Sequence, residues 1–237
     1  VYYRAKPSVN STGIKKLAKG TSVAVVSGSS KKVTEAQKKT GKKVAYTWVQ
    51  IVIGEKKYWT KLSCLRQRVD YLAKAAKCAD EVYPLGIGCK HASASSLTDI
   101  KNKRVINCSG FASTVYQQAG ILPTGKVVSH TTAVGGDVTK KKNTIAKAMS
   151  GSGNIRAGRC KIVKVGKTYA HMDDSLKKKG IMYIYDSNNS INAGGGYMYS
   201  FNNGASELKN GKYTSAKVKS GYCFTHPILY ALVPQTV

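Results

Sequence analysis

Few side chains in this sequence can do covalent chemistry, and Cys108 stands in a setting that would suit it. It lies between Asn107, a residue type that caps helix N-termini, and Ser109-Gly110-Phe111. Phe111, Ala112, Val115, Tyr116 and Ala119 then recur at helical spacing, Gly120 stands where a capping glycine belongs, and Pro123 follows. The pattern predicts a short amphipathic helix opened by Cys108. The first turn of a helix carries partial positive charge, which favours a thiolate. Acyl transfer by a thiol also needs a base, a group that orients the base, and donors for the oxyanion. The chain has four histidines, His91, His130, His171 and His226. His171 as base with Asp186 as orienter gives one chain order, Cys then His then acid. His91, His130 and His226 are the other imidazoles, readable as base or as substrate contacts, and Ser109 stands beside the thiol as a further substrate contact.

Several elements must position these groups. Val69, Leu72, Ala73, Ala76, Ala79 and Val82 predict a helix over Val69–Tyr83. Gly180–Ser200 reads as strand, turn, strand, glycine-rich turn and strand, and Cys160–Val165 alternates as a strand. Lys140–Met149 has the pattern of a short basic helix, and Ser150–Gly158 that of a Gly/Ser loop. The tail ends in an apolar run, Phe224–Val233, that suits a central strand with His226 at its start. The first 66 residues read differently. Ser22–Ser27, Tyr46–Ile53 and Lys57–Lys61 are strand-like and are punctuated by Gly20, Gly28, Gly41 and Gly54. They predict a small β-barrel.

Asn107-Cys108-Ser109-Gly110-Phe111, with a helix ending in Ala119-Gly120-Ile121-Leu122-Pro123, resembles the nucleophile helix of NlpC-type, papain-like cell-wall peptidases, which usually carry Asp before the cysteine. That resemblance implies an α+β domain over residues 67–237, with helices packed on a mostly antiparallel sheet. It also implies cysteine endopeptidase action on peptidoglycan stem peptides. Matching the family's two later strands places Asn188 at the base position and Ser200 twelve residues on, at the third polar position. An amide accepts no proton at neutral pH, so this match implies an alternative: a degenerate relative that binds peptidoglycan or another anionic wall polymer without cutting it. Where the family carries a Tyr-x-Trp-Gly-Gly turn, the chain has Gly86-Ile87-Gly88-Cys89-Lys90-His91. The first 66 residues, through Tyr3-Arg4-Ala5-Lys6-Pro7-Ser8, Leu17–Val23, Trp48-Val49 and Tyr58-Trp59, resemble bacterial SH3-like domains that accompany wall hydrolases. A secreted or wall-associated location follows from these resemblances.

Composition bounds the rest. Of 237 residues, 39 are Lys or Arg and 11 are Asp or Glu, a net charge of +28, so polyanions are attracted. No nucleic-acid motif accompanies the charge. No apolar run approaches the roughly 18 residues of a membrane span. The chain opens on Val1 without a signal peptide, as a mature or trimmed form would. The six cysteines include no Cys-x-x-Cys pair, so a metal site is not expected, and no organic cofactor is implied. Six cysteines allow 15 full pairings, none of which the spacing selects.

Overall fold

The computed structural model describes residues 1–11, 15–37, 39–86, 96–103, 106–128, 158–185, 189–201, 207–209, 212–214, 216–219 and 222–237. The chain is mixed α+β and forms two compact units, Val1–Arg68 and Val69–Val237.

In the first unit, β1 (Tyr2–Tyr3) pairs with β2 (Lys15–Lys16). The long β5 (Lys43–Ile53) carries β3 (Ala24–Val25) and β4 (Lys31–Ala36) along one edge. Its other edge takes β6 (Lys56–Lys61). All pairs are antiparallel. Trp48, Val49, Ile51 and Thr60 form the buried centre. The expected barrel is not closed: among the described residues the β1–β2 ladder and the β5 sheet stay separate, linked by the Arg4–Trp59 bridge and by Thr60 Oγ1 donating to Tyr2 O at 2.9 Å. β4 is a strand that composition concealed, because the Lys-Lys-Val-Thr-Glu-Ala segment has only one apolar residue larger than alanine.

The larger unit is built on a six-stranded antiparallel sheet. It contains β7 (Cys160–Lys167), β8 (Met182–Ile184), β9 (Asn189–Gly194), β10 (Tyr197–Ser200), β13 (Ala216–Val218) and β14 (Ile228–Pro234). The spatial order is β13-β10-β9-β8-β14-β7. β11 (Glu207–Lys209) and β12 (Lys212–Thr214) form a separate hairpin. β14 therefore lies inside the sheet, although its strand begins later than the apolar run suggested. Phe224 belongs to a short helix, α4 (Tyr222–Thr225), and Pro227, which has no N–H to give a ladder, separates that helix from the strand.

The helices are α1 (Tyr71–Val82), α2 (Leu97–Lys103) and α3 (Cys108–Gln118). Asp70 caps α1, its Oδ1 accepting from Leu72 N and Ala73 N at 3.0 Å each. One sheet face packs Met182, Ile184, Ile191, Tyr199 and Leu232 against the buried sides of α1 and α3. The other face buries Tyr183, Tyr185, Met198 and Ala231 with Cys223 of α4. The ends of this unit meet: Val69 and Val237 exchange both backbone hydrogen bonds, and Tyr71 N donates to Gln235 O.

α3 departs from the amphipathic expectation, because its polar side is buried too. Ser113, Thr114 and Gln117 lie inside with the apolar stripe. The segment after the helix wraps back over them. Ser113 Oγ accepts from Val128 N at 2.8 Å, and Gln117 Nε2 donates to Lys126 O at 2.9 Å. The helix ends in a Schellman turn, with Ile121 N donating to Tyr116 O and Gly120 N to Gln117 O, and Gly120 at φ +78°. No described helix is long and apolar enough to cross a membrane.

Candidate active site

The thiol is placed by both ends of a local chain of contacts. Asn107 adopts an extended backbone and turns its Oδ1 onto Gly110 N at 2.7 Å, which starts α3 at Cys108. The same oxygen accepts from Ser109 Oγ at 3.3 Å. Ser109 thus supports the cap directly, beside the cysteine. Cys108 is 9% exposed and lies where the helix start meets the opening of β9. Burial pushes its pKa up; backbone N–H groups of Asn189, Ser109 and Cys108 itself offset part of that rise.

Asn189 is a site residue that sequence reading passed over. Its Nδ2 donates to Val128 O at 3.1 Å and reaches Met182 Sδ at 3.7 Å. Its Oδ1 is buried and accepts no hydrogen bond among the described residues. The one available signal was a second consecutive amide, Asn189 after Asn188, where the strand begins.

The remaining expected residues are dispersed. His171 ends a 3-10 turn (Tyr169–His171), is exposed, and shares a 2.8 Å hydrogen bond between its Nδ1 and Thr168 Oγ1. His226 is half-buried between α4 and β14, its Nδ1 3.2 Å from Thr225 Oγ1. Ser200 closes β10 and is fully buried, its Oγ without a partner among the described residues. Strand alternation puts it on the sheet face of Met198, away from the face that Tyr199 presents to the helices. There Ser190 Oγ donates to Tyr185 Oη at 3.3 Å, and Tyr185 Oη donates to Cys223 O at 2.7 Å. His91, His130, Asp186 and Asn188 lie outside the described residues, as does the expected helix Lys140–Met149.

No protein-family model, curated protein or solved structure matches the chain. The site therefore has to be read from its own chemistry. Among the described residues no disulfide forms, and no group of three or more His, Cys, Asp or Glu could hold a metal ion.

A protonated resting thiol has a measurable consequence. Cys64 is exposed in the first unit, whereas Cys108 is buried with a raised pKa. At neutral pH iodoacetamide should alkylate Cys64 first and Cys108 at least about tenfold more slowly. The Cys108 rate should climb only once pH passes the ordinary thiol range near ~8.5, because only then does thiolate accumulate. Peptide mass mapping of timed samples reads both sites. Faster modification at Cys108 than at Cys64 would mean a thiolate held ready at rest.

Proposed function

We propose that the larger unit is a papain-like cysteine hydrolase of the NlpC type that cleaves peptide stems of peptidoglycan, and that the first unit is an SH3-like wall-binding module. The observation that carries this reading is the buried Cys108 thiol at the capped start of α3, beside a cluster of backbone N–H groups that act to lower its pKa. Such a cluster is suited to negative charge, first on the thiolate and then on the oxygen of a tetrahedral intermediate. In the reaction the thiol proton passes to a base, the sulfur bonds to the amide carbonyl carbon, and the amine leaves with a proton. Water then breaks the thioester and frees the enzyme. Buried and protonated at rest, Cys108 depends on that base at the moment of attack. His171 and His226 adjoin Tyr169 and Phe224 on the sheet face away from α3, so the base is His91 or His130. A secreted or wall-associated setting follows from the substrate.

A second reading has its own support. Asn188 stands at the sequence position matched to the family base, and burial holds the Cys108 thiol protonated. In this reading the unit binds peptidoglycan or another anionic wall polymer without cutting it, and loss of the base lowers turnover by at least ~10²-fold.

One experiment separates the two. Purified peptidoglycan is digested with the wild-type chain and with Cys108→Ala, and released fragments are identified by mass. The hydrolase reading expects fragments from wild type only, with wall sedimentation unchanged in the variant. Fragments from both proteins would remove Cys108 from the mechanism. Sedimentation without fragments from either would establish the binding reading.

A further inference from the structure

Charge is distributed unevenly between the two units. Residues 1–68 hold sixteen of the 39 Lys and Arg but only two acids, Glu35 and Glu55. Half of the +28 net charge therefore lies in under a third of the chain. The acids do little to compensate. Glu35 Oε2 accepts from Val9 N at 2.9 Å, and Glu55 sits at the tip of the β5–β6 hairpin. Among the described residues of this unit no ion pair forms; the described pairs all lie in the larger one. Lys31 and Lys32 open β4 opposite Trp48 and Thr47, while Lys56 and Lys57 open β6 opposite Ile53 and Val52. All four are exposed. The two pairs thus flank β5 on opposite edges, about five residues or ~17 Å apart along the strand. So many uncompensated cations repel one another and lower the stability of a small unit. A bound polyanion would remove that cost.

The unit's aromatic side chains narrow the class of polyanion. Non-specific binding of single-stranded nucleic acid combines a basic groove with exposed rings on which bases stack. Here Trp48 is wholly buried, and Tyr46 carries the Lys61 ammonium 3.5 Å from its ring centre. Tyr3 and Tyr58 pack edge to face, 4.8 Å between centroids. Tyr2 is the one large aromatic that stays well exposed among the described residues of the unit. Trp59 is half-buried, so among the described residues the surface offers many charges and few rings on which bases could stack. We infer that the first unit is a docking surface for a linear phosphodiester polymer without bases, of the poly(glycerol phosphate) type, gripped by lysines on both flanks of β5. This rests on the wall-binding reading of the first unit and names its ligand class, but it is independent of cleavage: the Cys108→Ala chain must bind as the wild type does.

The test uses the full chain and purified poly(glycerol phosphate), titrated at several salt concentrations. About five neutralised phosphates predict a fall in affinity of roughly 100-fold between 50 and 200 mM salt. Two variants each remove four charges. One is Lys31, Lys32, Lys56 and Lys57→Gln. The other is Lys101, Lys161, Lys164 and Lys167→Gln, exposed positions of the larger unit. The first should weaken binding by more than about tenfold and the second by less than about threefold, because only local contacts release counterions. An unchanged tryptophan emission spectrum checks that the first unit remains folded. Equal weakening by both variants would reduce the effect to net charge and overturn the inference. So would absence of binding, or tenfold tighter binding of oligo(dT) of matched charge.

Discussion

Gly180→Ala should destabilise the larger unit by roughly 3–5 kcal/mol, combining a backbone conformation closed to alanine with a clash that cannot relax. Gly180 has φ +91°, and a Cβ there would lie 2.7 Å from Ala76 N and 3.0 Å from Leu72 O. Both are backbone atoms of α1, so no rotamer change makes room. The residue is also held on both sides, its N–H donating to Asn192 O at 2.9 Å and its C=O sharing the Tyr116 hydroxyl proton, at 3.2 Å, with Leu232 O, which takes the shorter bond. To admit a methyl group, α1 must move off the sheet or the turn must shed these bonds. Gly125→Ala is the matched control. It too has positive φ, +76°, but among the described residues nothing lies within 4 Å of its Cβ, so only the conformational cost of about 1 kcal/mol should appear. Urea denaturation followed by far-UV circular dichroism gives both values. Both tryptophans, Trp48 and Trp59, are in the first unit, so their fluorescence tells separately whether that unit is undisturbed. Similar losses for the two alanine variants would mean that α1 does not press on Gly180.

Tyr116→Phe is the second large effect, expected at about 2–4 kcal/mol. The phenol is fully buried on the helix that Cys108 opens. Its hydroxyl donates to Leu232 O at 2.6 Å and accepts from Met182 N at 2.9 Å. One oxygen therefore ties α3 to β14 and β8 at the centre of the sheet. Phenylalanine keeps the ring and its packing but leaves a buried carbonyl and a buried amide without partners. Leaving each such group unsatisfied costs about 1–3 kcal/mol. Hydrogen exchange at the Met182 amide reports the broken bond directly, and the urea midpoint reports its cost. A loss below about 0.5 kcal/mol would show that the hydroxyl can be replaced by local rearrangement. The phenol is also kept neutral: burial, the largest influence, raises its pKa well above the usual value. Its contribution is then fully present below the unfolded pKa of about 10 and is lost as pH rises toward the folded value.

How much of this was legible beforehand depends on what each residue type signals locally. The cap of α3 was plain, because Asn107 and Gly120 act through their own backbone geometry. The strands between Gly180 and Ser200 were plain too, because alternation and glycine mark both faces and turns. The burial of Ser113, Thr114 and Gln117 was not, since polar side chains signal solvent unless a later segment returns to satisfy them, as the Lys126–Val128 backbone does. The basic strand β4 escaped for the converse reason: it is fixed by pairing with β5, not by an apolar period of its own. Within the site, Cys108 could be picked out from its helix. Asn189 could not, because its part depends on a backbone N–H that any residue other than proline would supply.

The paired ends of the larger unit carry a further consequence. Val69 and Val237 hydrogen-bond to each other in both directions, and Asp70 bridges Thr236. The path of the chain through this unit is therefore almost a closed loop, entering and leaving at one spot. A body of that kind behaves as a portable module: it can be spliced into a surface turn of a host protein without prising the host's chain apart.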